Sequence, residues 1–238
     1  MIKAVFFDFY NTLACFDPPR EELQARACGE FGIRVTPEGI ARGYALADAY
    51  MAKEVAIVPL RERDSQDTKS FFAEYQRLIL QGAGKEVSLE QALEVISRLR
   101  QFSYDYALFD DVLPTLDVLK KQGLTLALLS NNDGDMNKLC DDLGLSAHLD
   151  FAINAQEVGL GKPHPPIFRE ALKRAEVKPA EALYVGDQYE TDVKGARGVG
   201  IHPVLLDRDG LKTDVQDCPL IEGLLELVAL IRDLTRLT

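Results

Sequence analysis

The sequence is short of positive charge. Of its 238 residues 27 are Lys or Arg and 38 are Asp or Glu, leaving a net charge of −11. A chain this acidic argues against general affinity for nucleic acid or an anionic membrane, since both need a basic surface that releases counterions. Cysteine is scarce: Cys15, Cys28, Cys140 and Cys218 stand far apart without Cys-x-x-Cys or Cys/His ligand spacing, so neither a zinc site nor a redox dithiol is expected. They read as reduced, mostly buried thiols. The chain also lacks an uncharged run of about 18 apolar residues, and Asp8 interrupts the N-terminal apolar stretch too early for a signal peptide. A cytoplasmic location is therefore expected. No internal repeat, low-complexity tract or long Gly/Ser linker occurs. The balance of 47% hydrophobic and 27% charged residues is that of an ordinary folded protein. At this length folding buries roughly 70–75% of the unfolded surface, enough for a core without disulfide or metal staples.

Ala4 to Phe7 is a short continuous apolar run of the kind a strand buried on both faces needs. Leu124 to Leu129, Phe151 to Ile153, Ala182 to Val185 and Val204 to Leu206 repeat it. Helical patterns lie between: Leu113 to Gln122, stopped by Gly123, then Pro166 to Ala175 and Glu190 to Val199. This alternation predicts βαβ units, hence an α/β fold with a doubly wound, five-stranded parallel sheet. Between the first two strands the pattern changes to successive helices, Arg20 to Glu30, Pro37 to Met51, Asp67 to Leu80 and Leu89 to Phe102. The last opens with Ser88 and Gln91 at capping-box spacing. The block is too long for a simple crossover and is expected to be an inserted helical domain, residues 16–105, in a core of residues 1–15 and 106–238. Leu220 to Leu237 reads as a C-terminal amphipathic helix.

In open parallel sheets ligands bind outside the carboxyl ends of the strands. Polar residues gather there: Asp8 to Thr12 after the first strand, Ser130-Asn131-Asn132 after the second, then Gly161-Lys162-Pro163, and Gly186-Asp187 through Asp192 after the fourth. Each alone reads more readily as a turn, a cap or a solvated charge. Their succession points to phosphoryl chemistry. Asp8 can serve as nucleophile once its charge is oriented and the electrophile's charge is neutralised. Magnesium takes hard oxygen ligands and keeps several waters, so Asp8, a nearby main-chain carbonyl and Asp187 suffice as the protein's share. Ser130 and the Asn131 amide can donate to phosphoryl oxygens, and Lys162 can neutralise both substrate and Asp8. Asp8, Asp187 and Asp192 bring −3 and Lys162 brings +1, and one divalent cation cancels the remaining −2.

In this order the motifs resemble those of the haloacid dehalogenase superfamily, most of whose members are magnesium-dependent phosphohydrolases, and the resemblance covers essentially the whole chain. It implies a Rossmann-like core and an inserted helical cap that closes over the site and selects the substrate. It further implies Mg2+ as cofactor, Asp8 as nucleophile and Asp187 as metal ligand, with Asp192 ordering the metal's waters or Lys162 and Thr12 supporting the loop. One residue departs from the pattern. Two positions after the nucleophile the family's phosphatases carry an acid/base aspartate, and here stands Tyr10, whose main-chain carbonyl can still bind magnesium while its side chain is a poor base. Tyrosine there is similar to the 2-haloacid dehalogenases, whose leaving halide needs no proton. Those enzymes carry a small neutral residue where this chain has Asp187. A magnesium-dependent phosphatase of a small phosphorylated molecule is the leading expectation. A 2-haloacid dehalogenase and a weakly active or non-catalytic phosphate-binding descendant stay open, as does C–P bond cleavage, which would need a cap lysine such as Lys53. Neither nucleic acid nor membrane is an expected partner, and a homodimer stays open.

Overall fold

A computed structural model describes residues 1–132, 134–212 and 215–236. The chain runs β1 (Ala4–Phe7), β2 (Ala14–Asp17), α1 (Arg20–Glu30), α2 (Pro37–Ile57), α3 (Ser65–Gly82), α4 (Leu89–Leu99) and β3 (Asp105–Leu108). It continues α5 (Val112–Lys121), β4 (Thr125–Ser130), α6 (Met136–Asp142), β5 (Phe151–Asn154), α7 (Ala155–Val158), α8 (Pro165–Arg174) and β6 (Ala182–Gly186). Last come α9 (Lys194–Gly198), β7 (His202–Leu206), β8 (Leu220–Ile221) and α10 (Leu225–Arg236). It forms two compact units, Met1–Cys15 with Ala107–Thr238, and Phe16–Tyr106.

The first unit is built on a six-stranded sheet in the order β5-β4-β1-β6-β7-β8, paired in parallel throughout. β1 and β6 are buried at every residue, as their unbroken apolar runs require. Ala4, Phe6, Leu129, Ile153 and Tyr184 pack with Ile167, Phe168 and Ala196 of α8 and α9. Val5, Phe7, Leu128 and Val185 alternate with them and are equally buried. The chain builds outward from β1 through β4 to β5, then returns to β1's other side for β6. The crevice beyond the end of β1 is therefore a topological switch point.

The sheet has one strand more than the five expected. β8 is two residues long, too short to leave a periodic signal, and it occupies Leu220–Ile221, so the C-terminal helix starts at Leu225 instead of Leu220. Leu237, the expected last residue of that helix, and Thr238 lie outside the described residues. Glu190 to Val199 is not one helix: a π-helical turn, Tyr189–Val193, precedes α9. β2 and β3, where the chain leaves and re-enters the first unit, pair as a separate two-stranded sheet that the pattern did not show.

The second unit is a bundle of α1 to α4. Thr36 accepts from Gly39 N at the start of α2, Asp64 from Gln66 N and Asp67 N at the start of α3, and Ser88 with Gln91 closes the capping box of α4. α2 and α3 approach until their backbones touch, because a Cβ on Gly43 would lie 2.0 Å from the Ile79 carbonyl oxygen. Among the described residues no helix is long and apolar enough to cross a membrane, and none of the four cysteines is in a disulfide, Cys28 and Cys140 being buried and Cys15 and Cys218 half-buried.

Candidate active site

Asp8 stands where β1 ends, its main-chain N–H on the Val185 carbonyl at 2.9 Å and its side chain 13% exposed. One carboxylate oxygen accepts from Lys162 Nζ, and the other faces the Thr12 hydroxyl at 3.4 Å. Lys162 is 4% exposed and spends its three protons on Asp8, on Asp192 Oδ1 at 2.8 Å and on the Tyr184 hydroxyl at 2.8 Å. Tyr184 passes the chain on by donating to Asp192 Oδ1 at 3.1 Å, while Asp192 Oδ2 accepts from Gln188 N at 2.9 Å. The π-helical turn carries Asp192 back beneath the end of β6, and π turns recur at functional sites. Gly186 has to be glycine there, since a Cβ would meet the Asp192 carboxylate at 2.4 Å.

Burial is the largest influence on Asp8 and pushes its pKa up to about 6, with Asp192 adding to the rise and Lys162 opposing it. Burial alone would lower the Lys162 pKa, but Asp192 and Asp8 outweigh it and hold the ammonium above its ordinary range. Tyr184 is raised well above the usual phenol range by burial and then by the charges of Asp192 and Asp8, so it stays a neutral donor.

Asp187 follows β6 and is buried at 8% exposure. Asp8, Asp187 and Asp192 offer ligand oxygens within 4.8 Å of one another. Since Asp192 already serves Lys162, Tyr184 and Gln188 N, the residues best placed to hold a cation are Asp8 and Asp187. An all-carboxylate set with one ammonium suits a hard divalent ion.

Ser130 ends β4, 4% exposed, and its hydroxyl accepts from Asn132 N at 3.0 Å. Asn131 turns its side chain to the main chain of Lys162, donating to its carbonyl at 2.9 Å and accepting from its N–H at 2.7 Å. Any contact of Asn131 with a substrate would thus fall to its own main-chain N–H. Tyr10 is half-buried with its phenol oxygen enclosed, and its backbone bridges to Ala14. The structure therefore brings Asp8, Thr12, Lys162, Asp187 and Asp192 together, with Ser130 at the end of the neighbouring strand. Sequence reading missed Tyr184. The available signal was a tyrosine inside an otherwise apolar buried strand, whose hydroxyl needs a partner. The other partner of Asp192, Gln188 N, is a main-chain donor, which leaves no trace in composition.

A family model described as haloacid dehalogenase-like hydrolase matches residues 2–200. The mouse haloacid dehalogenase-like hydrolase domain-containing protein 3 is 47% identical over 92 residues, 39% of this chain, and that match spans only 37% of the mouse protein. A glyceraldehyde 3-phosphate phosphatase of Methanopyrus kandleri is 32% identical over 87% of this chain and 85% of its own. Among solved structures, the HAD-hydrolase candidate YfnB of Bacillus subtilis, bound to magnesium, has a TM-score of 0.63 at 19% identity, covering 96% of this chain and 98% of that one. At that identity the likeness shows the fold.

Proposed function

The chain belongs to the haloacid dehalogenase-like hydrolase family, and from its site we propose that it is a magnesium-dependent phosphatase of small phosphorylated molecules working through a phosphoaspartyl intermediate on Asp8. The carrying observation is the buried Asp8–Lys162–Asp192 cluster, with Asp187 beside it, at the switch point of the sheet. The activity named for the Methanopyrus relative supports the same reading. With a pKa of about 6, Asp8 is ionised at neutral pH. Its carboxylate attacks phosphorus, forming an O–P bond as the ester P–O bond breaks and the leaving oxygen takes the electron pair. Water then splits the acyl phosphate, returning the carboxylate and releasing inorganic phosphate.

Lys162 orients Asp8 and neutralises developing charge, Asp192 and Tyr184 keep Lys162 in place, and Thr12 braces the second oxygen of Asp8. Ser130 and the main-chain N–H of Asn131 supply donors to the phosphoryl oxygens. Asp8, Asp187 and the Tyr10 carbonyl would hold the metal, which when bound offsets the crevice's negative charge and polarises the phosphoryl group. The helical unit, residues 16–106, serves as the cap that selects substrate.

Tyr10 shapes the substrate range. A phenol with a reference pKa near 10 is a poor base at neutral pH, so aryl and acyl phosphates, whose leaving groups need no proton, turn over best. The same residue favours a second reading, halide release from 2-haloacids. Asp187 opposes it, since a metal-free cluster at −2 repels a haloacid's carboxylate. The test is hydrolysis of an aryl phosphate with magnesium and with chelator, using Asp8→Asn as the blank. Turnover that needs both magnesium and Asp8 is the expected result. Turnover no greater than the blank overturns the phosphatase, and metal-independent halide release then establishes the dehalogenase.

A further inference from the structure

We propose that Arg208 is a positioning residue for the nucleophile: clasped by Asp111, it fixes the Thr12 carbonyl and with it the turn that presents Asp8. The inference rests on the reading of Asp8 as nucleophile.

The turn after β1 is tight. The Phe9 carbonyl accepts from Thr12 N, Leu13 N and Ala14 N at 3.3, 2.8 and 3.0 Å, and Asn11 N closes on the Ala14 carbonyl at 2.8 Å. Asn11 takes the left-handed conformation this requires, φ 58°, which asparagine tolerates better than most residues. Thr12 and Leu13 are fully buried, so their outgoing carbonyls need protein partners. Leu13 O receives Phe109 N at 3.1 Å, and Thr12 O receives Arg208 Nη2 at 2.9 Å. The hydroxyl of the same Thr12 faces Asp8.

Arg208 is itself held on several sides. Nη2 and Nη1 also donate to the two oxygens of Asp111, at 2.9 and 3.1 Å, and the guanidinium lies 3.9 Å from the centre of the Phe109 ring. Asp111 is fixed in turn by Leu224 N at 2.7 Å. The two side chains are only 16% and 17% exposed. A planar fork can serve a carboxylate and a carbonyl at once where an ammonium offers a single point of charge. Among the described residues the hydrogen bonds of Arg208 go to Thr12 and Asp111 alone, so it reaches Asp8 only through the turn.

The experiment measures amide hydrogen exchange and aryl phosphate kinetics on the full chain carrying Arg208→Met, Arg208→Lys or Asp111→Asn. Arg208→Met is expected to speed exchange at Asn11 to Ala14 by about tenfold or more while the amides of β4 and β6 hold their rates. It is expected to lower kcat about 10- to 100-fold with KM little changed, because small misplacement of a nucleophile acts on the chemical step. Arg208→Lys should recover part of both effects. A purely structural role would quicken exchange throughout the unit instead. Unchanged exchange at Asn11 to Ala14 in folded Arg208→Met overturns the proposal, as does a loosened turn with wild-type kcat. If Arg208→Met does not fold, Arg208→Lys and Asp111→Asn carry the same test. Should wild-type turnover survive in Asp8→Asn, the phosphatase reading fails, while exchange still decides the clasp.

Discussion

Both units bury polar side chains, but they balance them differently. In the helical unit Arg20 pairs with Asp48 at 3.0 Å and lies over the Tyr44 ring, Tyr75 donates to the same Asp48 at 2.6 Å, and Tyr44 donates to Gln24 at 3.2 Å. That one cation serves two carboxylates, Asp48 and the more exposed Glu21 at 3.1 Å, and hydroxyls fill the remaining sites. In the α/β unit three carboxylates crowd one ammonium, leaving an excess of negative charge behind a largely closed surface. A cluster nearer to balance, with its second carboxylate partly open to water, holds a fold together, whereas a larger buried excess of negative charge favours a cation that arrives from outside.

Removing the cation from each cluster breaks the comparison most directly. Lys162→Met strands Asp8 and Asp192, and is expected to cost about 3–5 kcal/mol of stability in metal-free protein and about 10³-fold or more in kcat. Arg20→Met leaves Asp48 with Tyr75 and the more exposed Glu21 to water, and should cost about 1 kcal/mol. Equal losses by chemical denaturation would mean the two clusters do the same job.

Next in size is a pH effect confined to the α/β cluster. The folded pKa of Asp8, about 6, lies above its ordinary 3.8. Between those values the folded chain keeps a proton that the unfolded chain has lost, so stability falls as pH rises through the window, by about 3 kcal/mol at most, and stays lower above it. Asp8→Asn lacks this term. In chelator, its advantage in Tm over the wild type should grow from pH 4 to pH 6.5 and then level off. A constant difference would mean that Asp8 is not penalised by its site.

What the sequence revealed follows the same division. Strands buried on both faces announce themselves as apolar runs, and a carboxylate directly after such a run, as at Asp8 and Asp187, stands out. β8 and the β2–β3 pair are too short and too mixed in burial to do so. Tyr184 looked like core because its ring is core and only its hydroxyl belongs to the site. Arg208 meets Thr12 across 196 positions, a pairing that no local pattern records. The helices of the second unit were legible from caps such as Ser88, but the approach of α2 to α3 depends on two distant backbones and was not.

Tyr10 sharpens the chemical side of the comparison. Tyr10→Asp places a carboxyl where the family's phosphatases carry their acid/base. It is expected to raise kcat about 100-fold on alkyl phosphates, which need a protonated leaving group, and little on aryl phosphates. An equal gain on both, or none on either, would show that proton transfer to the leaving oxygen is not what the site lacks.

The smallest effect tests the helical unit alone, where the constraint is contact between backbones. Gly43→Ala sets a methyl 2.0 Å from the Ile79 carbonyl oxygen, and a backbone atom within a helix cannot step aside as a flexible side chain can. Separating α2 from α3 is expected to cost about 1–3 kcal/mol, offset by the roughly 1 kcal/mol that alanine gains over glycine inside a helix. Gly29→Ala in α1 provides the control, since nothing lies within 4 Å of its added Cβ. It should stabilise the unit by up to about 1 kcal/mol. Opposite shifts in Tm for the two variants are expected. If both rise, α2 and α3 are not in backbone contact at Gly43, and helix propensity alone governs glycine in this unit.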